Sequence, residues 1–179
     1  PVNVVKFTQG YFILQTLVFM GSLIIVTTPL FNRVFPFLNV EENLKIGAMI
    51  HRAERDKNLA IAYAYFPRLY ERRTQKAGTL SGGEQAMLSI ARALIGRPKL
   101  MLLDEPSEGI QPNLAQQIGE IVHQCSKDMG ISVLLCEQHI GLIQQVSERC
   151  YAVDKGTIVG HIRGNEVKDY HKIKQYLTV

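Results

Sequence analysis

The sequence predicts an α/β fold built on a parallel sheet. Two short apolar runs, at residues 99–103 and 131–136, have the length and the Leu, Ile and Val content of buried strands. A stretch with helical spacing of apolar residues follows each run, starting at Pro112 and at Ile140. Alternating strands and helices are typical of layered domains with parallel strands. A chain of 179 residues is long enough for one such domain.

Composition and charge set limits on the class of protein. The net charge of +4 and the pI near 9.0 suit nucleotides or a membrane surface, but they do not require nucleic acid as a partner. The three cysteines show no metal-ligand spacing, and their odd number fits reduced thiols in a cytosolic protein.

The first third of the chain allows two interpretations. No charged residue occurs between Lys6 and Arg33, and residues 11–31 are almost continuously apolar. Two buried strands joined by a turn at Gly21 and Ser22 would give this pattern, and so would a membrane span. The run lacks the small-residue cleavage pattern of a secretory signal.

A helical region of about forty residues follows Arg33. Asn39 is a good N-cap with Glu42 three residues later, and apolar residues at helical spacing follow it. Pro67 interrupts the region, which ends at a glycine-rich turn.

That turn, LSGGEQ at residues 80–85, opens a further helix. Ser81 and Glu84 have the spacing of a capping box, in which each residue bonds the backbone N–H of the other. The two glycines are expected to leave the backbone bare, so that the free N–H groups and the positive end of the helix dipole suit a phosphate. A well-capped surface helix without a ligand is the alternative.

Two adjacent carboxylates follow the first buried strand directly. Ligands of open α/β sheets bind beyond the carboxyl ends of the strands, where Asp104 and Glu105 are expected to lie. Asp104 could hold Mg²⁺ through water, and Glu105 could orient or deprotonate a water that attacks phosphorus. Solvated acids before a proline turn are the alternative.

The end of the chain predicts one hairpin and one helix. Residues 151–154 and 157–161 form the expected hairpin, with Lys155 and Gly156 in its turn. Asn165 is expected to cap the last helix.

Several stretches together resemble the ATP-binding subunits of ABC importers. LSGGEQ resembles the family's signature motif, residues 99–105 its Walker B strand, and Ser107 lies at the D-loop position. The similarity extends over RVFPFLNVEENLKIG at residues 33–47, YFPRLYERR at 65–73 and LLDEPSEGIQPN at 102–113. It is strongest toward subunits for branched-chain amino acids and urea, and residues 108–113 and 174–179 favour the urea type.

The resemblance implies roles for several site residues. It implies catalytic roles for Glu105, Gln138 and His139, nucleotide contacts for Ser81, Gly82, Gly83, Glu84, Gln85 and Ser107, and a magnesium role for Asp104. The implied cofactors are ATP and Mg²⁺. The implied partners are a second ATPase subunit in a head-to-tail dimer and membrane permease subunits, with no nucleic acid.

The sequence departs from the family pattern at three places. It contains no GxxxxGK[ST] motif for a Walker A loop. Leu30 falls where the family has its Q-loop glutamine. Gln138 falls at the switch-histidine position with His139 beside it, so His139 could replace the family's histidine only if the loop shifted by one residue.

These features lead to two hypotheses of different class. In the first, residues 1–32 are an atypical apolar segment and residues 33–179 an ABC ATPase domain. Its helical and signature part spans about 39–97 and its Walker B part 98–179. The chain would supply signature and Walker B elements of an importer ATPase, peripheral on the cytoplasmic face of the plasma membrane, and would be catalytically incomplete alone. In the second, it is a non-catalytic regulatory module anchored by residues 11–31.

Overall fold

The first strand of the chain lies in the middle of a six-stranded sheet. The computed structural model describes residues 2–8, 23–26 and 34–176. The sheet order is β2-β3-β4-β1-β5-β6. Its strands are β1 (Val2–Thr8), β2 (Leu23–Val26), β3 (Leu100–Asp104), β4 (Ser132–Cys136), β5 (Arg149–Asp154) and β6 (Thr157–Arg163).

Strands β3 and β4 are neighbours in the sheet, and their C-terminal ends lie side by side. The first five strands in this order, β2, β3, β4, β1 and β5, are parallel to one another. Strand β6 pairs with β5 in antiparallel orientation at the edge of the sheet. Leu103 is opposite Leu135, and Asp104 is opposite Cys136. The residues that follow these two strands therefore emerge side by side, as the predicted parallel sheet requires.

The predicted helical region is present and is divided into short pieces. It contains α1 (Val40–Gly47), a 3₁₀ segment (Ala48–Glu54), α2 (Arg55–Tyr65) and α3 (Pro67–Glu71). Asn39 is the N-cap as predicted, and with Glu42 it forms a capping box. Pro67 occupies the first turn of α3, where the missing proline N–H has no helical partner to lose.

Three further helices follow in the chain. They are α4 (Gly82–Ile95), α5 (Pro112–Met129) and α6 (Ile140–Val146). Helix α4 packs against α1 and α2, and its buried residues belong to the same core as buried side chains of β3 and β4. Gly130 directly follows the end of helix α5, and its φ of 65° is the left-handed value that glycine adopts without strain.

The C-terminal part confirms the hairpin and corrects one helix cap. Lys155 and Gly156, both at positive φ, form the tight turn between β5 and β6. The prediction that Asn165 caps the last helix was wrong. Asn165 lies inside a 3₁₀ segment (Gly164–Lys168), and Asp169 caps α7 (Tyr170–Lys174) by accepting the N–H groups of His171 and Lys172.

The structure describes only part of the N-terminal segment for which the sequence allowed two interpretations. Residues 23–26 of the apolar run form strand β2, which pairs in parallel with β3, and β1 was not predicted. The remainder of the run, with Gly21, Ser22 and Leu30, lies outside the described residues. Among the residues that the structure describes, no helix is long and apolar enough to cross a membrane.

Candidate functional site

The signature turn is held by the predicted capping box. The Ser81 hydroxyl accepts the N–H of Glu84 at 3.4 Å, and the Glu84 carboxylate accepts the backbone N–H of Ser81 at 3.0 Å. The same carboxylate oxygen also accepts the Ser81 hydroxyl proton at 2.9 Å. Ser81 is exposed, whereas Glu84 is buried. Glu84 thus acts inside the turn, and Ser81 and Gly82 form its outer surface.

Arg72, which the sequence analysis did not identify, anchors Glu84 from the other side. Its Nε lies 3.1 Å from Glu84 Oε1. Burial raises the pKa of Glu84, but the hydrogen bonds from Ser81 and the charges of Arg72 and Arg68 outweigh it and lower the pKa below the usual value. The carboxylate is therefore ionised and ties the end of α3 to the start of α4.

The two signature glycines differ in their surroundings. A Cβ at Gly82 would meet no atom within 4 Å, so its backbone is bare as expected. A Cβ at Gly83 would lie 1.8 Å from Leu114 Cδ2 and 3.7 Å from Ile110 Cγ2. Gly83 is buried, so the expectation of a bare backbone fails there, and its role is close packing against the segment that starts α5. Gln85 donates to the carbonyl of Leu80 at 3.0 Å.

The second part of the site lies where β3 and β4 end. The backbone N–H of Glu105 donates to the carbonyl of Cys136 at 2.9 Å, and Glu105 adopts a φ of 44°. A positive φ is uncommon for a residue with a Cβ and is typical of functional turns. The Gln138 side chain donates to Glu105 Oε1 at 2.5 Å. The structure thus brings together two residues that the sequence analysis paired only through the resemblance.

Glu137, also missed by the sequence analysis, organises the loop after β4. It is only 4% exposed. One carboxylate oxygen accepts the N–H groups of Gln138 at 2.8 Å and His139 at 3.0 Å, and the other accepts the Ser107 hydroxyl at 2.8 Å. The signal that could have found it is its place directly after a buried strand, the same signal that pointed to Asp104.

His139 has a structural contact of its own. Its Nδ1 accepts the N–H of Leu142 at 3.1 Å and so caps α6. An accepting Nδ1 places the proton of the neutral ring on Nε2. Gln138, not His139, is the residue hydrogen-bonded to Glu105.

Asp104 lies in a strongly negative environment. Burial raises its pKa, and the nearby charges of Glu105, Glu108 and Glu137 raise it further. Within the described residues, no group of three or more His, Cys, Asp or Glu side chains has the arrangement of a metal site. The Asp104 carboxylate, with other carboxylates nearby, fits Mg²⁺, because this ion keeps most of its water ligands and binds one or two protein oxygens.

The site residues, those predicted and those found in the structure, form two groups. Ser81 to Gln85 belong with Arg72 at the start of α4, and Asp104, Glu105, Ser107, Glu137 and Gln138 lie at the end of β3 and β4. Among the described residues, no hydrogen bond or ion pair joins the two groups. The first has the exposed backbone and hydroxyl that suit a phosphate, and the second has the carboxylates that suit a cation and a water.

The amino-acid sequence of this chain is similar to those of known proteins. A family profile described as "ABC transporter" matches residues 22–108. Over 155 residues the chain is 43% identical to the high-affinity branched-chain amino acid transport ATP-binding protein BraG of Pseudomonas aeruginosa, covering 84% of this chain and 64% of that protein. It is 33% identical over 148 residues to the probable branched-chain amino acid transport ATP-binding protein LivF of Archaeoglobus fulgidus, covering 82% and 63%. The chain thus spans less than two thirds of either relative.

Solved structures share the fold. The cbiO1 protein of Clostridium perfringens, part of the ABC transporter complex cbiONQ, superposes with a TM-score of 0.74 at 21% identity, covering 87% of this chain and 62% of that one. A nucleotide-free ATP-binding cassette from an ABC transporter gives 0.66 at 25% identity, covering 82% and 64%. The α/β architecture described above is that of ABC-type nucleotide-binding domains.

Proposed function

This chain belongs to the family of ABC transporter ATP-binding proteins, and we propose that it contributes signature and Walker B elements to an ATPase that drives import of a solute. The observation that carries the proposal is the pairing of Glu105 with Gln138 beside Asp104 at the ends of two adjacent parallel strands. This is the place where α/β sheets bind ligands.

The chemistry assigned to the second group is phosphoryl transfer to water. Glu105 is the proposed general base, because its carboxylate lies at a turn directly after the strand and is held by one side-chain amide. Gln138 orients Glu105 and can donate to a phosphate oxygen, but it cannot carry a proton. Asp104 would hold Mg²⁺, which when bound neutralises charge on the phosphates.

The first group is proposed to act across an interface. Ser81 and the bare backbone at Gly82 can complete a phosphate site, but they supply neither the lysine nor the Mg²⁺-binding hydroxyl of a P-loop. We therefore infer a head-to-tail partner domain whose P-loop holds the nucleotide against this turn, with Ser107 near the same interface.

The relatives support a proposal for the solute and the membrane partners. Both relatives are named as branched-chain amino acid transport ATP-binding proteins. We propose a branched-chain amino acid as the solute, with urea as the alternative from residues 108–113 and 174–179. Permease subunits would hold the protein at the cytoplasmic face of the membrane, in contact with the helical region.

One substitution tests the proposed function. The complex would be purified from membranes through a tag on this chain, and its Mg²⁺-dependent ATP hydrolysis compared for wild type, Glu105→Gln and Glu148→Gln. Losing a general base costs about 10²–10⁴ in rate, so we expect Glu105→Gln to lower kcat at least a hundredfold. The exposed Glu148 is the matched control and should leave kcat unchanged.

Two results would count against the proposal. Hydrolysis that is insensitive to Glu105→Gln would favour the second function, a non-catalytic regulatory module. Strong hydrolysis by the purified chain alone, abolished by the same substitution, would disprove its catalytic incompleteness.

A further inference from the structure

Two loops of the site are tied together by a single buried side chain. Ser107 lies in the turn after β3, and Gln138 lies in the loop after β4. Glu137 bonds both, through the Ser107 hydroxyl on one carboxylate oxygen and the Gln138 and His139 N–H groups on the other. Among the described residues, Glu137 is the only buried side chain that forms hydrogen bonds to both loops.

The bonds form a closed ring around Glu105. From Glu137 the ring runs through the backbone to Gln138, from the Gln138 side chain to Glu105, along the chain to Ser107, and back to Glu137. A closed ring of this kind fixes the position of the Gln138 amide relative to Glu105 before any ligand arrives. Such preorganisation lowers the cost of reaching the reactive geometry.

A role in folding alone explains the arrangement less well. Burying a carboxylate is unfavourable unless its oxygens are hydrogen-bonded, and an apolar residue at the end of β4 would avoid that cost. The three donors all come from the turn and the loop that carry the site, whereas the residues before it in β4 are apolar apart from Ser132. The carboxylate therefore serves the geometry of the site.

We propose that Glu137 is a positioning residue for ATP hydrolysis, which couples the Ser107 turn to the Gln138 loop and fixes Gln138 against Glu105. The inference rests on the proposed function. It adds a residue that acts through Gln138 and Ser107, which lie in the two loops it joins.

The test compares kcat and KM for ATP in the complex purified through this chain. Glu137→Ala removes both links, and we expect kcat to fall about tenfold or more with KM changed less than about twofold. Glu137→Gln keeps an acceptor for the two N–H groups and can donate to the Ser107 hydroxyl, so it should stay within about threefold of wild type. Glu148→Ala is the control and should have no effect.

Ser107→Ala tests the link independently of the buried carboxylate. It should lower kcat severalfold, and the double variant with Glu137→Ala should be no slower than Glu137→Ala alone, since both break the same link. Should Glu137→Ala fail to fold by circular dichroism, Ser107→Ala and Glu137→Gln decide the outcome.

Several results would overturn the proposal. They are an unchanged kcat in Glu137→Ala or Ser107→Ala, a loss that appears only in KM, and full additivity in the double variant. A kcat that falls with Glu105→Gln but not with these variants would reject the inference and leave the proposed function standing. Hydrolysis insensitive to Glu105→Gln would overturn both.

Discussion

Gly83 and Gly82 are neighbours in the signature turn, yet only one of them is required by packing. Alanine at Gly83 would drive its Cβ into the Leu114 side chain, whereas alanine at Gly82 would enter open space. We expect Gly83→Ala to lower the free energy of unfolding by about 1–3 kcal/mol, the usual cost of overpacking. Gly82→Ala is the matched control and should be neutral or slightly stabilising. Urea denaturation of the purified chain measures both, and equal effects would contradict the packing role.

Glu84 gives a prediction with a definite dependence on pH. Its pKa is lowered in the folded protein, so its ionised form contributes stability above the pKa of the unfolded chain, about 4.3, and loses it as pH falls through the lower folded pKa. We expect Glu84→Gln to be less stable than wild type at pH 7, and the difference to shrink below about pH 4. Glu71→Gln, at an exposed site in α3, serves as the control in thermal denaturation.

A difference that stays constant from pH 7 to pH 3 would show that the Arg72 and Ser81 contacts do not depend on the charge of Glu84. The capping pair itself was predictable, because Ser81 and Glu84 lie three residues apart in the chain. Arg72 was not, since its contact depends on how α3 approaches α4.

The elements with local start and stop signals were the ones that the sequence predicted well. Helix α5 has Pro112 in its first turn and Gly130 directly after its end, and α1 has its capping box. Strand β1 has no such signal, because its sequence VNVVKFT includes a charged residue. Its partner strands also lie far along the chain. The sequence did not identify Glu137 for a related reason, because its hydrogen bond with Ser107 forms only when β3 and β4 pair.

The corrected cap of α7 provides a test at the level of the element. Asp169 accepts two N–H groups of the helix, whereas Asn165 lies inside the 3₁₀ segment, whose N-cap position is Arg163. We expect Asp169→Ala to cost about 0.5–2 kcal/mol and Asn165→Ala to cost much less. Guanidinium denaturation followed by circular dichroism compares the two variants, and a larger loss for Asn165→Ala would restore the sequence-based cap.

The three cysteines report on the integrity of the whole molecule. All are buried, and burial raises the pKa of Cys125 and Cys136 to about 12 and that of Cys150 to about 11. Since the thiolate is the reactive form, we expect no alkylation of the native protein by iodoacetamide at pH 8 over minutes, and three modifications in urea. Mass spectrometry counts the adducts, and fast native labelling of any one thiol would show that its region opens locally.

The central position of β1 has a consequence for synthesis on the ribosome. Val4 pairs with Leu135 on one side and Cys150 on the other, so this strand is synthesised well before either of its partners. At about 5–20 residues per second, its partners emerge roughly seven to thirty seconds after it does. During that delay both edges of the strand are open, and unpaired edges can pair with strands of other chains. A chaperone that holds nascent chains is therefore expected to bind here, and the yield of folded protein should depend on translation speed.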